Sequence, residues 1–345
     1  MKRNNQLLLQ SKNISVLRFP MIAMIVCIHA RMGEGLSLDE NNINSLLATE
    51  YILGEIIATI AVPLYFIISG FLFFYKIDVF NKEIYITKLR KRVQTLLIPY
   101  FIWNLIAYLI YLTNHQFNVN TLIMSFFIVH PDGRTGSSPM DGPLWFIRNL
   151  YIVMLISPII YALIKRMKIW WLIPFLLLWI LGFSIFKNGI MIAFIFFSLG
   201  AGLSICKHHL VIDKHVVLFS LLFCLTIILR YNFHHESISF ILSKINILTG
   251  ILFSISFATY MNKRWKIDSY TQFLGSISFF IYCLHDLMLP FIKTFWINFY
   301  KNHNILFNGW MYIGVIITDI CLCILIYFIL RKISPQITAI LLGGR

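Results

Sequence analysis

Charge is scarce in this 345-residue chain: Asp, Glu, Lys and Arg make up 12% of it, roughly half the level of a soluble domain. Acidic residues are scarcer still, 14 against 29 basic, which leaves a formal net charge of +15. The chain also lacks a basic, aromatic-interleaved soluble face, so the positive charge does not indicate nucleic-acid binding. None of the six cysteines (Cys27, Cys206, Cys224, Cys283, Cys321, Cys323) has metal-ligand spacing with histidines, and all lie in or beside apolar runs. They read as packing residues, with no disulfide framework and no metal expected. A cleavable leader is not evident: Lys2 and Arg3 precede a polar stretch, and Arg18 and Pro20 interrupt the first apolar run, so that run is expected to be retained as a span. Internal repeats of the kind transporters carry are not visible either.

Apolar residues fill the space charge leaves. They make up 59% of the chain and aromatics 16%, with a mean hydropathy of +0.79. This excludes an ordinary soluble globule and predicts an all-α, polytopic transmembrane bundle forming one domain over 1–345. Ten spans are expected, near 14–30, 51–75, 95–113, 144–164, 169–186, 190–206, 215–230, 238–261, 271–293 and 309–330. The apolar stretch 119–129 is too short to cross and reads as a re-entrant or interfacial helix. Twenty of the 29 Lys and Arg residues fall in the two terminal segments and in alternate loops. By the positive-inside rule both termini are then cytoplasmic.

The informative residues are the polar ones that remain inside apolar runs. In a helix over 14–30, Arg18 and His29 lie about three turns apart, with roughly 20° between them and about 16 Å of rise. Arg18, Ile22, Ile25 and His29 then form one line, and a helix does not turn an arginine and a histidine together towards lipid. This face is predicted to line a site, in one cavity that joins both residues. The expected topology puts Ser69 at the depth of Arg18 and Glu55 at the depth of His29. Asp141 and Arg148 flank the outer mouth of the fourth span. Each has a plainer alternative: Arg18 as a helix cap, His29 as an interfacial ring, Glu55 as the ion-pair partner of Lys244, Ser69 and Gly70 as a close-packing pair, Arg90 and Arg92 as topology determinants. Asp319 reads as structural, and His285 as either structural or supporting a site at one remove.

Several stretches resemble the acyltransferase-3 family of integral membrane acyltransferases: Arg18 and His29 ten residues apart on the first span, VPLYFIISGFLF (62–73), KLRKRVQTLLIPYF (88–101), GPLWFIRNLYIVMLISPII (142–160) and SISFFIYCLHDLMLPF (276–291). They occur in family order across nearly the whole chain. The resemblance implies transfer of an acyl group, usually acetyl from acetyl-CoA, to a hydroxyl of an extracytoplasmic glycan or lipid-linked sugar. It implies a catalytic role for His29 with Arg18 as its paired arginine. Thr95 stands where relatives often carry another arginine. On this reading His29 is a general base, with Glu55 or Asp141 holding its tautomer. Arg90, Lys91 and Arg92 grip the CoA phosphates, Ser69 lies along the pantetheine arm, and Trp145 and Arg148 are further donor contacts. The expected location is a bacterial inner membrane. The competing class is a transporter or flippase for an anionic or glycan substrate. Acceptor specificity is expected in the loops 31–50, 130–143, 231–237 and 294–308.

Overall fold

The computed structural model describes residues 2–32, 44–127, 139–185, 189–233, 236–265 and 268–344; Glu34, Asp39, Glu40 and Arg134 of the expected outer loops lie outside them. The described residues are helical and contain no strand. α1 (Lys2–His29) is longer than the expected first span, because the polar segment before residue 14 is helical too. Its early turns are tied down by buried amides. Asn13 Nδ2 donates to Thr259 Oγ1 (2.7 Å) and to the Leu210 carbonyl (3.2 Å), and Asn13 Oδ1 accepts from Asn262 (3.0 Å). Pro20 sits inside the helix without ending it.

α2 (Asn44–Glu50) runs on through a π-helical stretch (Tyr51–Ile57) and a 3₁₀ turn (Ala58–Ile60) into α3 (Ala61–Phe74). α4 (Lys82–Arg92), capped by Asn81, passes through a second π-helical stretch (Val93–Leu97) into α5 (Ile98–Tyr111). α6 (Val119–Ser125) is short, as its sequence suggests. α7 (Trp145–Leu155) and α8 (Ser157–Met167) are one apolar run bent by 60°. Pro158, in the first turn of α8, supplies no N–H to the ladder, which explains the break at this point. α9 (Ile173–Ile180), α10 (Ile190–Ile205), α11 (Val216–Asn232), α12 (Glu236–Arg264), α13 (Asp268–Asn302), α14 (Gly309–Ile333) and α15 (Pro335–Leu341) complete the chain.

Among the described residues, six helices are long and apolar enough to cross a membrane, or seven if the bent pair α7–α8 is one span. Helices stand in the other three expected positions as well, but the apolar stretches there (Trp170–Ile180, Ile190–Ile205, Val216–Asn232) are only 10–17 residues long, below the roughly 20 a bilayer asks for. α10 shows why such a helix can still be apolar throughout. It is enclosed by protein, with Phe194, Phe196, Phe197 and Ala201 all buried.

α10 crosses α3 in near backbone contact. A Cβ on Gly70 would stand 2.0 Å from the Phe197 carbonyl oxygen, and one on Gly200 1.9 Å from that of Ile67. Small residues at a crossing let membrane helices approach this closely, so Gly70 is a packing residue and its neighbour Ser69 is left to face elsewhere. α1 packs along α13 and α12, and α13 along α14. The groove between α1, α3, α7, α13 and the second π-helical stretch is where the site lies.

Candidate active site

A cavity of about 570 Å³ fills this groove. Arg18, Ile22 and Ile25 of α1 form one wall, as the helical period requires. Tyr65 and Ser69 of α3, Phe146 and Ile147 of α7, Gly275 and Tyr282 of α13, and Lys91, Arg92 and Thr95 complete it. Four of the sequence candidates, Arg18, Ser69, Lys91 and Arg92, thus converge on one space. The described residues offer no acidic partner to the Arg18, Lys91 or Arg92 side chains. Gly275 leaves room for Arg18: a Cβ there would sit 3.4 Å from its Cδ. The cavity end holding these cations is basic, and the end near Ile25, Phe146 and Ile147 is apolar.

His29 is not part of this wall. The cavity runs along α1 only as far as Ile25, and His29 lies one turn beyond. Tyr282 stands between. Its ring centroid is 6.2 Å from that of Phe146 in the cavity wall and 6.3 Å from that of His285, and its hydroxyl donates to the Pro143 carbonyl. The single cavity expected to join Arg18 and His29 therefore ends one turn short of His29, beside the Tyr282 ring.

Beyond Tyr282, α1 and α13 bring together a second group. His29 Nδ1 lies 3.4 Å from Asp286 Oδ1, and both side chains are a little over a quarter exposed (28% and 29%). The His285 ring meets the His29 ring edge to face, with centroids 5.3 Å apart and planes at 71°. His285 is buried and directs Nδ1 at the carbonyls of Tyr282 (2.8 Å) and Ile281 (3.2 Å).

The end of α1 is pinned from three sides. Lys293 Nζ donates to the carbonyls of His29 and Arg31 (2.7 Å each), Tyr312 to that of Cys27 (2.6 Å), and Glu50 accepts from the Met32 amide (2.9 Å). Carbonyls at a helix C-terminus have no partners of their own, and a cation there also suits the helix dipole. The histidine backbone is thereby fixed.

The carboxylate facing His29 is Asp286, not Glu55 or Asp141. Glu55 pairs with Arg31 and lies 3.8 Å from Arg230, whose guanidinium also donates to the Glu55 carbonyl (2.6 Å). Nor does Glu55 meet Lys244, which lies over the rings of Trp179 and Phe240 (4.9 and 4.4 Å). Asp141 is fully buried next to the dyad. Its carboxylate has no hydrogen-bond partner among the described residues, and it lies within electrostatic reach of Asp286. A Cβ on Gly142 would be 3.2 Å from Asp286 Oδ2. Asp319 on α14 is likewise buried without a partner and within reach of Asp286 and Lys293.

Trp145, Arg148 and Arg90 stay outside the cavity. Trp145 packs against Phe66 and the backbone at Gly189. Arg148 donates to the Phe127 carbonyl and to Asn149 (3.2 Å). Arg90 is exposed on α4, while the neighbouring Lys91 and Arg92 reach the cavity.

The acyltransferase domain pattern matches residues 11–328. The chain belongs to the acyltransferase-3 family. Among curated proteins, this membrane acyltransferase is similar to the succinoglycan biosynthesis protein ExoH of Rhizobium meliloti (strain 1021), with 23% identity over 362 residues, covering 97% of this chain and 92% of that protein. No solved structure matches it. Family membership fits the several apolar helices of an integral membrane protein.

Proposed function

We propose that the acyltransferase moves an acetyl group from cytoplasmic acetyl-CoA to a hydroxyl of an extracytoplasmic glycan or its lipid-linked precursor, in a bacterial inner membrane. In this reading the short helices α9, α10 and α11 complete a ten-span arrangement with both termini in the cytoplasm. The observation that carries it is the pairing of two spaces along one helix: a cavity lined by three cations with no acidic partner among the described residues, and a His–Asp dyad one turn past Ile25. A relative concerned with succinoglycan biosynthesis agrees with a surface polysaccharide as the acceptor class.

Arg18, Lys91 and Arg92 hold the phosphates of CoA by charge-assisted hydrogen bonds. The pantetheine arm runs along Ser69 towards Ile25 and Tyr282. Asp286 accepts from His29 Nδ1–H, which leaves the lone pair on Nε2. Nε2 takes the proton of the acceptor hydroxyl as its oxygen attacks the thioester carbonyl. The tetrahedral intermediate collapses, the C–S bond breaks, and the thiolate recovers that proton from His29. No net proton is consumed. Tyr282 has to swing aside for the thioester to reach the histidine.

Purified protein in proteoliposomes with labelled acetyl-CoA and an envelope glycan fraction tests this. Wild type is expected to place label on glycan, and His29→Ala to lose this while remaining inserted and folded. Transfer by the His29→Ala protein would end the base assignment. Uptake of glycan without acylation would favour a transporter instead.

A further inference from the structure

We propose that His29, His285 and Asp286 form a binding site for a divalent transition-metal cation of the zinc class, and that such a cation silences the enzyme. The silencing part rests on the base role given to His29 above; the binding part does not.

The three residues each offer one ligating atom, and these atoms lie within 4.8 Å of one another. His285 is the telling member. Its Nδ1 is engaged by the carbonyls of Ile281 and Tyr282, which fixes the N–H on that side and leaves the lone pair on Nε2. That Nε2 is buried and has no hydrogen-bond partner among the described residues. A buried acceptor with nothing to accept is costly. Metal-binding histidines share this arrangement, with the second nitrogen tied to a carbonyl so that ring and tautomer are fixed.

The edge-to-face meeting of the two rings keeps them from stacking. Asp286 adds a carboxylate. Two imidazoles and one carboxylate favour zinc, copper or nickel over magnesium or calcium, which prefer all-oxygen sets. The ionisable groups around the cluster are Asp141, Asp319 and Lys293, whose ammonium is already engaged by two carbonyls. His29 and Asp286 are partly exposed, so a cation can enter from their side and meet His285 at the floor. Bound between Asp286 and His29 Nδ1, it takes the place of the Nδ1–H and leaves the ring proton on Nε2, so the ring has no lone pair for the acceptor's proton. Sequence spacing does not reveal the site because α1 and α13 supply its ligands from opposite ends of the chain.

The test uses metal-stripped wild type without a polyhistidine tag, in lipid nanodiscs. Zn²⁺ is titrated calorimetrically, Co²⁺ binding is followed by its visible absorption, and acetyl transfer is measured on the same samples. One saturable equivalent is expected, together with transfer that falls as the site fills and returns on chelation. Affinity is expected to drop at least about tenfold in both His285→Gln and Asp286→Asn, each checked for folding by thermal unfolding, and to be unchanged in His303→Ala. Absence of saturable binding to folded wild type, or binding unchanged in both ligand variants, would overturn the site. Stoichiometric binding with transfer undiminished would overturn the silencing and, with it, the base role of His29. Absence of saturable binding together with transfer that still requires His29 would overturn the metal site alone.

Discussion

In the proposed mechanism the contact from His29 Nδ1 to Asp286 leaves the lone pair on Nε2, so the carboxylate selects the working nitrogen as well as stabilising the charged ring after it accepts a proton. Asp286→Asn keeps the shape and removes the charge. It is expected to lower kcat roughly a hundredfold or more, the lower range of what a positioned base contributes, with the KM for acetyl-CoA little changed; steady-state kinetics on purified protein checks this. At this scale the sequence was partly legible. The 3.6-residue period correctly puts Arg18, Ile22 and Ile25 on one face, and the cavity is lined by all three. The partner of His29 was not legible. Matching depth pointed to Glu55, but Glu55 lies on the π-helical stretch Tyr51–Ile57, where a wider turn changes the direction of each side chain relative to an α-helix. It faces Arg31 and Arg230 instead. Asp286 sits beside His285 in a stretch already singled out by its resemblance, and only the packing of α13 on α1 shows which of the two meets His29.

Two elements set how tightly the frame closes. α3 and α10 touch through Gly70 and Gly200, and at each the obstacle to a side chain is a backbone carbonyl, which cannot rotate away. Gly200→Ala is expected to destabilise the protein by about 1–3 kcal/mol or more through overpacking, seen as a lower unfolding temperature in detergent. Ser69→Ala, one position from Gly70 but facing the cavity, is expected to leave that temperature nearly unchanged. The π-helical stretches have a related role. In the first, carbonyls are released from the regular ladder, and Arg230 and Asn246 donate to those of Glu55 and Ile56 (2.6 and 2.7 Å). The second, Val93–Leu97, places Thr95 in the cavity wall. Hydropathy located these helices well but could not show their irregular turns, because a π-helix and an α-helix have the same apolar composition. It also could not tell a helix that crosses lipid from one such as α10 that is sheltered by its neighbours.

Across the whole molecule, the cavity proposed to take the donor carries Arg18, Lys91 and Arg92 in its lining. Holding a multiply charged donor by partly exposed cations makes binding sensitive to ionic strength. The KM for acetyl-CoA is expected to rise with salt, and the double variant Lys91→Gln, Arg92→Gln to show a higher KM with a flatter salt response. Arg90→Gln, outside the cavity, is expected to behave as wild type. CoA at a hundred times its Kd is expected to stabilise the folded protein by about 2.7 kcal/mol, read as a rise in unfolding temperature that the double variant loses.

The stop at Tyr282 has a consequence for the cell as well as for the reaction. In the proposed mechanism the basic cavity opens to one side of the membrane and the His29 cluster to the other, with one aromatic side chain between them. In that arrangement Tyr282, whose hydroxyl donates to the Pro143 carbonyl, is expected to keep the bilayer electrically sealed while no donor is present. Vesicles containing Tyr282→Gly are expected to lose an imposed pH gradient faster than vesicles containing wild type, and a fluorescent pH dye trapped inside would record the leak.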